Sequence, residues 1–128
     1  MAETTIITVQ TRPKNGEVKA LFDQCRRHLG AGPGHRWSEG PSRHYMPGAS
    51  EYAMEPNQGL PVWLKIFHKP GGVLPPLEDH GYRYVEIWLT NGTRRSHDKL
   101  LKQIKTWMNK HRWVWQCQTA DGNWQGGR

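Results

Sequence analysis

The side chains best suited to hold a ligand lie along one alternating segment, from Tyr82 to Gly92. Because successive side chains of a β-strand point to opposite faces, this segment predicts a strand with two unlike sides. The aliphatic side comprises Val85, Ile87 and Leu89, and the other side comprises Tyr82, Tyr84, Glu86, Trp88 and Thr90. In a chain with a net charge of +7, an aromatic and polar sheet face indicates a surface for nucleic acid.

Composition narrows the class of protein and of partner. The chain has 128 residues, so we expect a single domain over 1–128 with one modest core. Its pI near 9.7 favours a polyanion, either nucleic acid or an anionic membrane surface, unless the charge serves only solubility. The sequence has no apolar window that could span a bilayer and no secretory signal, which predicts a cytoplasmic protein without a membrane contact.

Cysteine usage agrees with that location. Cys25 and Cys117 are the only two cysteines, and no CxxC pair exists that could begin a zinc site. Without a secretory context, two cysteines predict buried free thiols in a reducing compartment.

The same patterns predict the elements that would position the alternating segment. Strands are predicted over Thr4 to Arg12, Val62 to His68 and Trp113 to Gln118, and helices over Glu17 to Leu29 and His97 to Lys110. The order strand, helix, strand, strand, helix, strand predicts an α+β fold. It would be a single antiparallel or mixed sheet of about four strands with the helices on one face.

Two segments lack a helical or strand period. Residues 31–61 are rich in glycine and proline, which predicts an irregular excursion, although its aromatic residues indicate that it packs somewhere. The glycine-rich tail 121–128 is predicted to be frayed and flexible.

Helices on one side of the sheet would leave its other side open. Alternation places on that open side Thr8, Gln10, Arg12, Trp63, Lys65, Phe67, Tyr82, Tyr84, Trp88 and Thr90. The cations there suit phosphate oxygens, and the Thr90 hydroxyl suits ribose 2′-OH groups. Two alternatives remain: segment 31–61 folds over these rings, or a shift of one residue in register reverses the face.

One stretch of the third strand resembles a known RNA-binding motif. His80 to Ile87 resembles the octapeptide of the RNA recognition motif and matches it at Gly81, Tyr82, Tyr84 and Val85. The first strand lacks the aromatic residue of the partner motif. This resemblance implies a single-stranded RNA-binding protein, which we keep as an alternative function.

A broader resemblance covers the strand–helix–strand–strand–helix run, most of residues 4–110. Val85 to Arg94 shows alternating aliphatics, a hydroxyl, a glycine-containing turn, a second hydroxyl and an arginine, before an amphipathic helix. The first helix ends in Leu29-Gly30. In order and spacing, these features are similar to the small RNA-silencing suppressors of tombusviruses and their shorter aureusvirus relatives.

This resemblance implies both a function and a site. Members of that family bind duplex RNA, including small interfering RNA, independently of sequence, and suppress RNA silencing by sequestering it. They use the open face of a sheet that continues across a homodimer. The implied RNA contacts are Thr90, Lys65, Arg12, Thr93 and Arg94, and for a viral protein the location would be the host cytoplasm.

The resemblance also implies where two protomers meet. The last strand matches the segment through which family members pair, so the implied homodimer interface contains Trp113, Trp115 and Cys117.

Nothing in the sequence favours catalysis. The seven histidines are scattered, and none is spaced as HxxxH or HExxH, so we expect surface histidines, no metal site and no cofactor. No GxSxG, GxGxxG or phosphate-loop motif occurs. We therefore expect that the chain is not an enzyme. The remaining alternative is a metal-independent ribonuclease using a histidine with a lysine, for example His68 with Lys69.

Overall fold

The computed structural model describes residues 4–28, 36–42, 48–55, 62–71, 83–118 and 124–127. Strands and helices alternate irregularly along these residues. In chain order they are β1 (Thr4–Val9), α1 (Glu17–His28), β2 (Trp37–Pro41), β3 (Ser50–Met54), β4 (Trp63–His68), β5 (Val85–Thr90), α2 (Arg94–Lys110), β6 (Trp115–Gln118) and β7 (Trp124–Gly127). The α+β class predicted from the sequence is confirmed.

All seven strands belong to one sheet, in the order β2-β3-β4-β5-β1-β6-β7. Every neighbouring pair is antiparallel. The predicted number of about four strands is too low, because three short strands gave no clear alternation. In the described part of the chain, β2 and β7 form the two edges of the sheet, and β1 lies between β5 and β6.

Both helices cover one face of this sheet. Each presents an apolar stripe at helical spacing, and the buried members are Val18, Leu21, Phe22 and Cys25 in α1 and Leu100, Leu101, Ile104 and Met108 in α2. These side chains form one core with alternate residues of the strands, such as Ile7, Leu64 and Ile87. The amphipathic patterns therefore predicted the packed faces of both helices correctly.

Helix α2 begins at Arg94, three residues before the predicted start at His97. The cause is a capping box, in which the Thr93 hydroxyl accepts a hydrogen bond from the Ser96 backbone N–H at 3.2 Å. In return, Ser96 Oγ accepts one from the Thr93 backbone N–H at 2.9 Å. Two helix-start donors are thereby satisfied, and the helix is fixed to the end of β5.

Segment 31–61 is not simply irregular, because it contributes β2 and β3. Strand β3 pairs with both β2 and β4, which extends the sheet at this end. The rings of Trp37 and Tyr52 contact Phe22 of α1, with centroid distances of 6.0 and 5.2 Å. These ring contacts and the pairing of the backbone hold the β2–β3 hairpin in place. The sequence shows no alternation that would have predicted it.

The tail was also predicted wrongly in part. Residues 124–127 form β7, which pairs with β6 in the register Gln118 opposite Trp124. Residues 119–123 and 128 lie outside the described residues.

The face of the sheet that carries no helix is called the outer face below. On β4 and β5 it carries Trp63, Lys65, Phe67, Glu86, Trp88 and Thr90, which alternate with core residues. On β1 and β6 it carries Thr4, Ile6, Thr8, Gln116 and Gln118. The predicted register of β4 and β5 is thus confirmed.

Candidate nucleic-acid interface

Four outer-face side chains lie together where β4 and β5 pair. Trp63 is directly opposite Thr90, and Lys65 is directly opposite Trp88. All four are partly exposed. Directly opposed side chains of antiparallel strands are in contact range, so these residues form one continuous surface, called the sheet patch.

The indole of Trp88 has a fixed orientation. Its Nε1 donates a hydrogen bond to Glu86 Oε1 at 2.8 Å. The ring of Phe67 meets it edge-on, with a centroid distance of 5.8 Å and an interplanar angle of 72°. Such an arrangement is a favourable aromatic pair, and it presents the indole as a rigid part of the sheet patch.

The other end of the outer face is covered. Phe67 is 3% exposed, Glu86 is 2% exposed, and Thr8 on the neighbouring strand is 2% exposed. Phe67 was predicted to contact RNA, and this is wrong for the chain as folded, because its ring is not accessible. The alternation of residues predicted correctly which side chains lie on this face, but it could not predict which of them are buried.

Glu86 is held by a buried ion pair. Arg83, itself 5% exposed, places Nη1 at 3.8 Å from Glu86 Oε2. On an open face this carboxylate would repel phosphates. Its burial and its pairing with a guanidinium remove most of that repulsion from the surface.

Tyr84 departs from the predicted face. The chain bends at this residue, and its half-buried ring packs against the core. The guanidinium carbon of Arg12 lies 5.4 Å from the ring centroid. Arg12 lines a cleft with Tyr52 and His68, both on the helix side of the sheet, so neither Tyr84 nor Arg12 belongs to the sheet patch. Tyr82, also predicted to contact RNA, lies outside the described residues.

Gln10 belongs to the covered end as well. Its Nε2 donates to Thr8 Oγ1 at 3.5 Å, and its Oε1 is buried without a hydrogen-bond partner. The predicted RNA contact of Gln10 therefore does not join the sheet patch.

A basic turn adjoins the sheet patch at the end of β5. Asn91 and Gly92 both have positive φ angles, of 63° and 75°, which turn the chain sharply towards α2. Thr93 is exposed, but its hydroxyl serves the helix cap. Arg94 and Arg95 follow on the exposed first turn of α2. Arg95 was not among the predicted contacts, although two adjacent arginines at the start of a helix are visible in the sequence.

Buried His97 ties this turn to β1. Its Nε2 lies 2.5 Å from the Asn91 carbonyl oxygen, and its Nδ1 lies 2.9 Å from Thr5 Oγ1. A carbonyl oxygen only accepts, so Nε2 carries the hydrogen. The prediction of a surface histidine is wrong here, because His97 is completely buried. The turn is consequently held by a side chain that also contacts the sheet.

A depression of about 520 Å³ borders the sheet patch on the β3 side. Its lining includes Trp63 and Lys65 from the patch, together with Arg36, Glu51 and Glu55. Because the charges are mixed there, this depression attracts phosphates less strongly than a purely cationic surface would.

The predicted dimer contact conflicts with the fold. Trp113, Trp115 and Cys117 are buried in the core of one protomer. Trp115 Nε1 donates to Asn109 Oδ1 at 2.9 Å. Strand β6 already pairs with β1 on one side and β7 on the other, so it offers no free edge to a second chain. This prediction is wrong because the pairing of the tail was not foreseen.

No candidate metal site is found among the residues that the structure describes. No group of three histidine, cysteine, aspartate or glutamate side chains there could hold a metal ion. Cys25 and Cys117 are free and buried.

Comparisons with known proteins reveal no similar protein. No protein-family model, no curated protein and no solved structure matches the chain. Within the described residues, no helix is long and apolar enough to cross a membrane.

Proposed function

We propose that this chain binds double-stranded RNA, including small interfering RNA duplexes, independently of base sequence, and thereby suppresses RNA silencing by sequestration. The observation that carries the proposal is the sheet patch: two tryptophans, a lysine and a threonine in direct register on a helix-free sheet face. Arg94 and Arg95, exposed on the first turn of α2, add positive charge to the chain just after the end of β5. A net charge of +7 favours a polyanionic partner.

Each member of the patch has a suitable contact on an RNA duplex. Lys65 suits a phosphate oxygen, and the hydroxyl of Thr90 suits a ribose 2′-OH, which can donate and accept. The indoles of Trp63 and Trp88 offer flat apolar area for sugar rings. None of these contacts reads a base edge, so the binding would follow shape and backbone rather than sequence.

The width of the sheet supports a duplex as the partner. The minor groove of A-form RNA is wide and shallow, and it is read by surfaces that meet phosphates and 2′-OH groups. Seven strands at roughly 4.8 Å spacing give a sheet about 29 Å across within one chain. A homodimer is therefore not required for width, and if protomers associate, we propose a contact other than β6.

The charges next to the patch indicate where the duplex would lie. Glu51 and Glu55 border the patch on the β3 side, whereas β1 adjoins it on the other side with the uncharged residues Thr4 and Ile6. We therefore place the phosphate backbone over Lys65 and the β5–α2 turn, away from β3.

A gel-shift series with three labelled ligands of one sequence tests the proposal: duplex RNA, single-stranded RNA and duplex DNA, all in EDTA. We expect retarded, intact duplex RNA, weaker binding of the other two, and a steep loss of affinity with salt as counterions are released. Equal affinity for duplex RNA and duplex DNA would contradict the proposal. Shortened RNA would instead support a metal-independent ribonuclease.

A second candidate function has one specific observation in its favour. The rigid indole of Trp88, held by Glu86 and Phe67, also resembles a stacking platform for an unpaired base. A single-strand binder would prefer unpaired RNA in the same series, and Trp88→Ala would weaken it more than Lys65→Ala does.

A further inference from the structure

A second cationic feature lies far from the sheet patch. A cleft of about 540 Å³ opens on the helix side, at the end of the strands where β1 and β4 finish. The sheet patch lies on the outer face at the opposite end. The polar lining of the cleft comprises Arg12, Lys14, Asn15, Lys19, Tyr52 and His68.

Two of its cations have no acidic partner within the described part of the chain. No carboxylate there forms an ion pair with Arg12 or Lys14, and the Arg12 guanidinium lies over the Tyr84 ring instead. Lys19 differs, because its ammonium lies 3.5 Å from Glu39. Positive charge around a concave surface raises the local concentration of anions.

Three acidic residues lie near the cleft without lining it, namely Glu17, Asp23 and Glu39. Glu17 begins α1, and its Oε1 accepts hydrogen bonds from the Lys14 backbone N–H at 2.6 Å and from Trp113 Nε1 at 3.3 Å. Glu17 is not part of the cleft lining. The Glu17 carboxylate is therefore held against the Lys14 backbone and the Trp113 indole, and it forms no ion pair with the side chain of Arg12 or Lys14.

The wall of the cleft adds two neutral hydrogen-bonding groups. Burial, with a contribution from Glu39, raises the pKa of Tyr52, so its hydroxyl stays a donor at neutral pH. Burial lowers the pKa of His68, which favours a neutral ring with one N–H donor. Arg12 and Lys14, the two cations without an acidic partner, thus line the same cleft as two neutral hydrogen-bond donors, Tyr52 and His68.

We propose that this cleft binds the phosphate group of a phosphomonoester, with Arg12 and Lys14 as cationic ligands and Tyr52 and His68 as hydrogen-bond donors. A phosphomonoester carries close to two negative charges and three acceptor oxygens, which matches this set. A volume of about 540 Å³ also leaves room for a nucleoside-sized group beside the phosphate. The proposal does not depend on RNA binding by the sheet patch.

Isothermal titration calorimetry of the full chain tests the cleft with adenosine 5′-monophosphate, inorganic phosphate and adenosine. We expect both phosphate ligands to bind and adenosine not to bind. Arg12→Gln and Lys14→Gln should each weaken the monophosphate by roughly tenfold, because each removes a charge-assisted hydrogen bond. Lys102→Gln, an exposed lysine of α2, is the matched control and should change nothing.

Two outcomes would overturn the proposal. One is binding of adenosine as tight as that of its monophosphate, and the other is unchanged affinity in both the Arg12→Gln and Lys14→Gln variants. Thermal melting of each variant checks that the fold is intact. Lys65→Ala should leave the monophosphate affinity unchanged, so failure of RNA binding and failure of the cleft are separate results.

The source of the phosphate needs one further arm. Short single-stranded RNA with a 5′-phosphate or a 5′-hydroxyl is compared in the Lys65→Ala chain. If the chain prefers RNA with a 5′-phosphate and Arg12→Gln abolishes this preference, the cleft binds an RNA end. If 5′-phosphorylated RNA binds only as tightly as the mononucleotide, the cleft binds free phosphorylated ligands. If the chain does not bind the mononucleotide, and a 5′-phosphate does not increase its affinity for RNA, the proposal is wrong.

Discussion

The two ends of the outer face have similar residue types but opposite access to solvent. At one end, Trp63, Lys65, Trp88 and Thr90 are partly exposed. At the other end, Thr8, Phe67 and Glu86 are buried, although they lie on the same face of the same sheet. Trp88 and Glu86 are even joined by a hydrogen bond. The comparison teaches that strand periodicity assigns a side chain to a face, whereas tertiary packing decides whether that face can bind.

Chemical labelling should separate the two ends most strongly. Thr90→Cys and Thr8→Cys place the same thiol on the outer face, one in each end. We expect the thiol at 90 to react with a maleimide roughly a hundredfold faster or more, because the other must wait for local opening. Burial raises the pKa of both native thiols, that of Cys25 to about 12, so they form a slow background. Similar rates would erase the distinction.

Stability should depend on the covered end. Arg83→Ala removes the ion-pair partner of the buried Glu86 carboxylate. We expect the free energy of unfolding, measured by urea denaturation, to fall by about 3–5 kcal/mol. The control is Arg94→Ala, which breaks an exposed ion pair with Asp98 and should cost about 1 kcal/mol or less. Equal losses for the two variants would mean that Arg83 is not buried with Glu86.

RNA affinity should depend on the exposed end. Lys65→Ala should leave the free energy of unfolding nearly unchanged and lower the affinity for duplex RNA roughly tenfold. Because one phosphate contact is lost, the slope of log affinity against log salt concentration should fall by about one unit. Lys102→Ala on the helix side serves as the matched control. Gel shifts at several salt concentrations measure both quantities, and a slope identical to that of the unmodified chain would remove Lys65 from the interface.

The smallest effect should come from one hydroxyl. Thr90→Val keeps the shape and strand preference but removes the group proposed to contact a 2′-OH. A neutral hydrogen bond contributes about 1 kcal/mol, so duplex RNA should bind roughly fivefold more weakly while duplex DNA is unaffected. Competition between the two duplexes measures this ratio, and a parallel loss for both would indicate a packing effect instead.

Strong periodic signals predicted the centre of the fold well. The alternation of Val85, Ile87 and Leu89 indicated β5 and its face, and the stripe from Leu100 to Met108 indicated α2. Strands β2, β3 and β7 could not be predicted in this way. None of the three contains a β-branched residue, β2 and β7 contain glycine, and all three join the sheet by pairing outwards from β4 and β6.

The site was predicted only where it follows from regular strands. Lys65, Trp63, Trp88 and Thr90 were placed together correctly, because all four lie within β4 and β5. Tyr84 was misplaced, since it lies at a bend just before β5 and its half-buried ring packs against the core. His97 was missed because its role depends on contacts with Thr5 and Asn91, which no local pattern encodes.

The central position of β1 has a consequence for how the chain matures during synthesis. This strand leaves the ribosome before the other described strands, yet both of its neighbours, β5 and β6, belong to the second half of the chain. Its ladder partners therefore emerge late, and pairing across such sequence separations is slow. The nascent β1 therefore stays without its ladder partners until β5 and β6 have been synthesised, and an apolar strand exposed in this way is prone to aggregation.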